Sequence, residues 1–119
     1  MIAMSTKNLY DGSCRIINSL NIISGKWKLP ILCKLSPGNI RYNELKRQVR
    51  GITNIMLTRS LQELASHGLV VRIQHSDIPP HVEYGLTEHG KKLIPALDAL
   101  KKWSEEQADF EQHEIKGYK

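Results

Sequence analysis

Five side chains within nine positions of the chain could form specific contacts with the edges of nucleic-acid bases. They are Asn54, Ile55, Thr58, Arg59 and Gln62, and we call them the base-contact set. In the major groove of DNA, a guanidinium group suits guanine, side-chain amides suit adenine, and an aliphatic group suits the thymine methyl. We therefore expect Arg59 to bond guanine, the two amides to bond adenine, and Ile55 to contact the methyl group.

The surrounding segment, GITNIMLTRSLQELASHGLV, predicts a helix that turns the base-contact set away from the core. At 100° per residue, Leu61 and Leu64 lie within about 40° of Leu57 and form its inward stripe. Thr53 is the predicted N-cap, and at a helix N-terminus it could also meet a phosphate. Gly68 is the predicted end of the helix. The alternative interpretation is an ordinary solvent-exposed helix face.

The charge is polarised along the 119 residues, whose net charge is +5. Residues 26–59 contain eight basic residues and one acid, Glu44; the basic ones are Lys26, Lys28, Lys34, Arg41, Lys46, Arg47, Arg50 and Arg59. Residues 104–114 contain five acids and no Lys or Arg. This pattern predicts a surface that attracts polyanions.

We expect no enzyme activity, because the sequence shows no paired carboxylates in a pocket, no nucleophile with a base and no glycine-rich phosphate loop. His75 and His81 could face each other, but two imidazoles without a third ligand make a poor zinc site, so no metal and no cofactor is expected. No apolar run approaches the roughly 20 residues that a membrane span needs, and no export signal is apparent. The sequence therefore predicts a cytoplasmic protein without membrane contact.

The hydrophobic periodicity predicts helices before the base-contact helix. The first is capped by Asp11 or Ser13, carries Ile16, Ile17, Leu20 and Ile23 on one side, and runs to Gly25. The second begins near Trp27 with Trp27, Ile31 and Leu35 inward, and the third is capped by Asn43 and ends at Gly51. The third helix and the base-contact helix, joined by a tight turn, indicate a helix-turn-helix.

Beyond Gly68, in LVVRIQH and HVEYGL, apolar residues recur at every second position, which predicts two strands that form a β-hairpin, or wing. Thr87 is then predicted to cap one long final helix that Pro95 kinks. Its apolar seam consists of Leu93, Ala96, Leu100, Trp103 and Phe110. So small a domain has little core left for this seam to cover, so we expect it to pack against a second copy of the chain.

Several motifs in the chain resemble those of the HxlR-type bacterial transcription regulators. They include Gly25-Lys26-Trp27, Arg41-Tyr42-x-Glu44-Leu45, Leu57-Thr58-x-x-Leu61-x-x-Leu64 and Leu86-Thr87-Glu88-x-Gly90. The resemblance runs from Cys14 to Trp103. It implies a mainly α fold with a small β-hairpin (α+β), a winged helix-turn-helix, in one domain that spans residues 1–119 with its core at about 14–103.

The resemblance also implies a homodimer that binds a palindromic operator in double-stranded DNA. It maps the recognition helix onto Thr53 to His67 and the wing onto Leu69 to Leu86, and dimer contacts onto the terminal helices. The dimer residues expected there are Ile16, Leu20, Leu100, Trp103 and Phe110. The expected phosphate contacts are Lys28, Arg41, Lys46, Arg47, Thr53 and Arg72. The chain departs from its relatives at Ile55, where many of them carry a polar or basic residue.

Cys14 is the candidate regulatory thiol. In the first turn of the first helix, the unpaired N–H groups, the helix dipole and Arg15 would stabilise a thiolate. In some relatives a cysteine at this place, commonly followed by proline, senses oxidants or electrophiles. The alternative is a cysteine that only packs at the dimer interface. Cys33 is predicted to be a small buried hydrophobic residue.

The sequence thus predicts a homodimeric, sequence-specific DNA-binding regulator, either repressor or activator, with a thiol switch at Cys14. The alternative is a winged-helix module that binds other proteins through its wing and hydrophobic seam. That module would show no salt-dependent affinity for DNA.

Overall fold

The computed structural model describes residues 15–115, which form a mainly helical domain with one small antiparallel sheet. The helices are α1 Arg15–Ile23, α2 Lys28–Leu35, α3 Tyr42–Gln48, α4 Asn54–Ser66, α5 Glu88–Lys91 and α6 Ile94–Phe110. The strands are β1 Ile40–Arg41, β2 Val70–His75 and β3 His81–Leu86, and a π-helical turn, Glu111–Ile115, follows α6. The predicted fold class is confirmed. Among residues 15–115, none of the helices combines the length and the hydrophobicity that a membrane-spanning segment needs.

The core lies where α2, α3 and α4 meet. Its fully buried side chains are Ile31, Leu32, Leu35, Leu45, Leu57, Leu61 and Leu64. The predicted inward stripe of α4 is therefore confirmed. The prediction for Cys33 is wrong, because this cysteine is exposed. At 100° per residue Cys33 falls on the side of α2 opposite Ile31 and Leu35.

Both ends of α4 are defined by the residues that the sequence predicts. The Thr53 hydroxyl accepts a hydrogen bond from the Met56 N–H at 3.2 Å, which satisfies one free donor of the first turn. At the other end Gly68 has φ +78°. The Leu69 N–H donates to the Leu64 carbonyl at 3.0 Å, as in a Schellman motif.

The start of α3 differs from the prediction. Asn43 does not cap this helix, because Arg41 occupies the N-cap position without a side-chain cap bond and Asn43 lies inside the helix. Arg41 is also the last residue of β1. The chain therefore passes from a paired strand straight into α3, and no separate capping residue intervenes.

The wing is the antiparallel pair of β2 and β3, in register from Val70↔Leu86 to His75↔His81. Its core side carries the buried Val70 and Leu86. The sequence did not predict the third strand: β1 pairs with the other edge of β3, through Ile40↔Tyr84 and Arg41↔Glu83. The strand order is thus β1-β3-β2, and the wing is attached directly to the segment that precedes α3.

The predicted single final helix is two helices. Thr87 caps α5 as expected, since its hydroxyl accepts from the Gly90 N–H at 2.9 Å, but α5 ends at Lys91 and α6 begins at Ile94. Pro95 lies in the first turn of α6. A proline has no N–H and clashes with the carbonyl four residues earlier, so it begins a helix more easily than it continues one.

Gly90 allows α5 to lie directly against the start of the wing. A Cβ placed on it would come within 2.2 Å of the Leu69 carbonyl oxygen, a backbone atom. The same carbonyl accepts from the Thr87 N–H at 3.0 Å, so it cannot move without disturbing the α5 cap. This close contact joins the C-terminal helices to the core.

We expect Gly90→Ala to destabilise the protein by about 1–3 kcal/mol, although Gly to Ala inside a helix is ordinarily favourable by up to about 1 kcal/mol. Urea denaturation followed by circular dichroism measures the difference. Gly38→Ala is the matched control, since a Cβ there has nothing within 4 Å. Equal stability of the two variants would contradict the close contact.

Candidate nucleic-acid interface

The five residues of the base-contact set lie together on the exposed side of α4. All five side chains are solvent-exposed and line one open, shallow depression of about 400 Å³. Ile55 is 71% exposed, while Leu57, on the other side of the helix, is 0% exposed. An aliphatic side chain left in solvent beside hydroxyl, amide and guanidinium groups suits a contact with base edges, which combine polar atoms and methyl groups.

Tyr42 supports the N-terminal half of this surface, a role that the sequence did not indicate. Its hydroxyl lies 3.1 Å from the Thr58 hydroxyl. It also lies 3.3 Å from the Asn54 carbonyl oxygen and 3.4 Å from the Asn54 side-chain oxygen. The phenol can donate to one Asn54 oxygen while it accepts from Thr58. Tyr42 at the start of α3 thereby fixes two members of the base-contact set on α4.

Two of the predicted phosphate contacts line the same depression, which lies beside the wing. Arg41 and Arg72 are exposed and line one open depression of about 670 Å³, together with Tyr42 and Tyr84. The two tyrosine ring centroids are 6.2 Å apart. The Arg72 guanidinium donates to the Gln74 side chain at 3.1 Å, which orients it along the wing. The strand β1, which the sequence did not predict, places Arg41 beside the wing through its pairing with Glu83.

Two other predicted phosphate contacts, Lys28 and Arg47, already have acidic partners. The Lys28 ammonium lies 2.9 Å from a Glu63 carboxylate oxygen, and the Lys28 side chain is only 17% exposed. This ion pair links α2 to α4 and leaves Lys28 less suited to bind phosphate. Lys46 lies half-buried on α3, and Thr53 is exposed.

Arg47 forms two hydrogen bonds with the Glu44 carboxylate one turn earlier on α3. These bonds, with a further one from Gln48, hold the pKa of the Glu44 carboxyl below its ordinary value. The same carboxylate raises the pKa of Arg47. Both groups are therefore charged at neutral pH. The Glu44 carboxylate partly neutralises the Arg47 guanidinium, which weakens the attraction of Arg47 for a phosphate.

The predicted dimer residues are exposed. The exposed fractions are 61% for Ile16, 52% for Leu20, 48% for Leu100, 57% for Trp103 and 42% for Phe110. Ile16, Leu20 and Leu100 line one apolar groove of about 510 Å³ between α1 and α6. No residue of α6 is buried. Cys14 and the predicted caps Asp11 and Ser13 lie outside the described residues.

The interpretation that His75 and His81 lack a third ligand is wrong. Glu83 lies beside both: one of its oxygens is 3.1 Å from His75 Nε2, and the other is 3.8 Å from His81 Nε2. The sequence could have indicated this group, because residues 81 and 83 of a strand share one face, and position 75 lies opposite position 81 if the hairpin turn spans 76–80.

A helix-turn-helix, a hairpin wing and an exposed polar helix face together define a winged helix-turn-helix protein of the DNA-binding class. A family model described as HxlR-like helix-turn-helix matches residues 22–112. The chain therefore belongs to the HxlR family of transcription regulators, which is not a class of enzymes.

Individual relatives agree with this assignment. An HTH-type transcriptional regulator of Methanothermobacter thermautotrophicus is 49% identical over 90 residues, which cover 76% of this chain and 69% of that protein. The crystal structure of the regulator ytcD superposes with a TM-score of 0.75 at 41% identity, covering 80% of this chain and 97% of that one. The redox regulator HypR in its reduced form superposes with a TM-score of 0.76 at 38% identity, covering 82% and 96%.

We expect Tyr42→Phe to weaken binding to a specific duplex about 2- to 12-fold, which corresponds to the roughly 0.5–1.5 kcal/mol of one hydrogen bond. The loss follows because Asn54 and Thr58 are then no longer held by the phenol. Fluorescence anisotropy measures the affinity. His89→Gln is the control, since it changes an exposed polar side chain outside both depressions assigned to DNA. An equal loss in both variants would contradict a specific role for Tyr42.

Proposed function

We propose that the protein binds a palindromic DNA operator as a homodimer, with the base-contact set of α4 in the major groove. The observation that carries this proposal is the exposure of all five residues in one depression, opposite the buried leucines of the same helix. A major groove accommodates one α-helix, and these side chains match the donors, acceptors and methyl groups that it presents.

The wing would contact the phosphate backbone beside the groove. Arg41 and Arg72 are the favoured contacts, because they are exposed and line the same depression next to α3. Arg47, Lys46 and Thr53 would add contacts from α3 and the start of α4, whereas the pair between Lys28 and Glu63 makes Lys28 the weakest candidate. Phosphate contacts fix the register of the protein on DNA, and base contacts supply sequence specificity.

The apolar groove between α1 and α6 supports the homodimer. Leu20 and Leu100 line this groove and are about half exposed, and Trp103 extends the apolar surface along α6. Contiguous apolar surface on a soluble protein commonly marks an interface. A two-fold axis through this surface would pair the same residues of both copies. Two recognition helices then require half-sites about 34–36 Å apart, one turn of DNA.

We also propose that oxidation or electrophilic modification of Cys14 changes operator binding. In the sequence Cys14 directly precedes the described start of α1 at Arg15, and α1 lines the apolar groove proposed as the interface. A thiol at the beginning of a helix is more readily ionised, and the thiolate is the reactive form. The relative HypR is described as a redox regulator and superposes in its oxidised form with a TM-score of 0.72.

The test of base contact compares Arg59→Ala with Arg72→Ala on duplexes that tile the DNA upstream of the protein's own gene. We expect Arg59→Ala to cost roughly 1–3 kcal/mol on the specific duplex and to relax specificity. Arg72→Ala should weaken specific and scrambled duplexes alike and lower the salt slope by about one. Anisotropy titrations at several salt concentrations measure both effects.

The control for this test is Lys101→Ala on α6, an exposed cation outside the proposed interface with DNA. Equal weakening of specific and scrambled duplexes by Arg59→Ala would contradict the assigned base contact. Weak, salt-insensitive binding of the wild type to every duplex would favour the alternative, a winged-helix module that binds other proteins.

The test of the homodimer is Leu100→Lys, with sedimentation equilibrium as the measurement. We expect the dimer dissociation constant to rise at least about tenfold, since burial of a leucine contributes roughly 1.5–3 kcal/mol and a buried lysine adds a penalty. Ile78→Lys is the matched control, because Ile78 is 98% exposed in the wing turn. A wild-type protein that is monomeric at tens of micromolar, or equal effects of both variants, would refute the interface.

The test of the thiol uses diamide and DNA binding. We expect diamide to change the affinity of the wild type severalfold and to leave Cys14→Ser unchanged, because the proposed reactive thiolate is absent from that variant. Cys33→Ser is the control, since Cys33 is an exposed thiol on α2. If Cys14→Ser responds to diamide as the wild type does, Cys14 is not the sensor.

A further inference from the structure

Three potential metal ligands converge at the free end of the wing. The ligand atoms of His75, His81 and Glu83 all lie within 4.8 Å of one another. His75 and His81 form the last pair of the β2–β3 ladder, and Glu83 is paired with Ile73 in the same register. Residues opposite each other, and residues two apart on one strand, share a face of the sheet. The backbone register therefore places all three side chains on one face.

The geometry of the cluster is close to that of a bound transition metal. A tetrahedral zinc ion about 2.1 Å from each ligand atom needs those atoms roughly 3.4 Å apart. The His75 nitrogen lies 3.1 Å from one Glu83 oxygen, and the His81 nitrogen lies 3.8 Å from the other. Ligand atoms of all three residues lie within 4.8 Å of one another, so they must move closer together to bind one ion. The imidazole rings are nearly parallel, with centroids 4.4 Å apart, so binding of one ion by both Nε2 atoms requires a rotation of the side chains.

We propose that His75, His81 and Glu83 form a binding site for one divalent transition-metal ion of the zinc class. Imidazole nitrogens favour zinc, nickel and copper over magnesium and calcium, which prefer all-oxygen sites. The side chains are 34%, 16% and 25% exposed, so an ion can enter from solvent. Three protein ligands leave a fourth position for water.

The bound ion would connect the two strands of the wing. His75 ends β2, whereas His81 and Glu83 belong to β3, and the intervening turn, 76–80, is mostly exposed and contains Ile78, which is 98% exposed. A metal bridge across this turn restricts the opening of the hairpin. It also adds positive charge near Arg41, which is paired in register with Glu83. This inference does not depend on the proposed operator or dimer.

The experiment titrates Zn²⁺ and Co²⁺ into the full chain carrying Cys14→Ser and Cys33→Ser, so that thiols cannot supply ligands, after EDTA treatment and buffer exchange. Calorimetry gives affinity and stoichiometry, and visible absorption reports the coordination of Co²⁺. We compare this protein with His75→Gln, His81→Gln and Glu83→Gln in the same background. His89→Gln, which changes an exposed histidine of α5, is the control. Far-UV circular dichroism without metal shows that each variant is folded.

We expect one ion per chain and tetrahedral Co²⁺ absorption. Loss of a residue that hydrogen-bonds to a metal ligand typically lowers metal affinity roughly 10- to 100-fold. Loss of a ligand itself should lower the affinity by at least as much, and His89→Gln should leave it unchanged. Zn²⁺ should also slow amide hydrogen exchange in β2 and β3 but not in α6. Binding of equal affinity in His75→Gln or Glu83→Gln would overturn the proposal. So would the absence of saturable one-to-one binding, which would leave the cluster as a hydrogen-bonded group across the hairpin.

Discussion

The rotation of α4 about its own axis is the constraint on which the rest of the interface depends. Leu57, Leu61 and Leu64 are at most 1% exposed, and burial of each contributes roughly 1.5–3 kcal/mol. A turn of α4 by one residue, 100°, would move this stripe out of the core. The leucines therefore determine which side chains face solvent, and the five exposed residues of the base-contact set have no role in the core.

The short strand β1 joins the two surfaces that we propose to contact DNA. Arg41 ends β1 and is paired with Glu83 of the wing, while its neighbour Tyr42 begins α3 and bonds to α4 through Asn54 and Thr58. Two adjacent residues thus connect the wing, the first helix of the helix-turn-helix and the recognition helix. A displacement of the wing relative to α4 would have to break these contacts.

The sequence predicted those parts of the fold that depend on local pattern. Thr53, Gly68 and the leucine stripe of α4 follow from capping and period, and both hairpin strands follow from alternation. The two-residue strand β1 is too short to show any period, and Tyr42 acts through a contact twelve to sixteen residues away. The predicted burial of Cys33 is wrong because its neighbour Leu32 occupies the buried position on α2. The cluster of His75, His81 and Glu83 can be predicted only if the exact register of the hairpin is known. That register depends on the length and type of the turn, which the alternating pattern of the strands does not reveal.

Selection from a pool of random duplexes tests whether the outward face of α4 selects base sequence. Bound duplexes are sequenced after selection with the wild type and with Arg59→Ala. We expect the wild type to select a palindromic motif with one symmetric pair of guanines, and the variant to select the same motif without a requirement for those guanines. An identical motif from both proteins would contradict the role assigned to Arg59, and enrichment of no motif by the wild type would contradict sequence selection by α4 altogether.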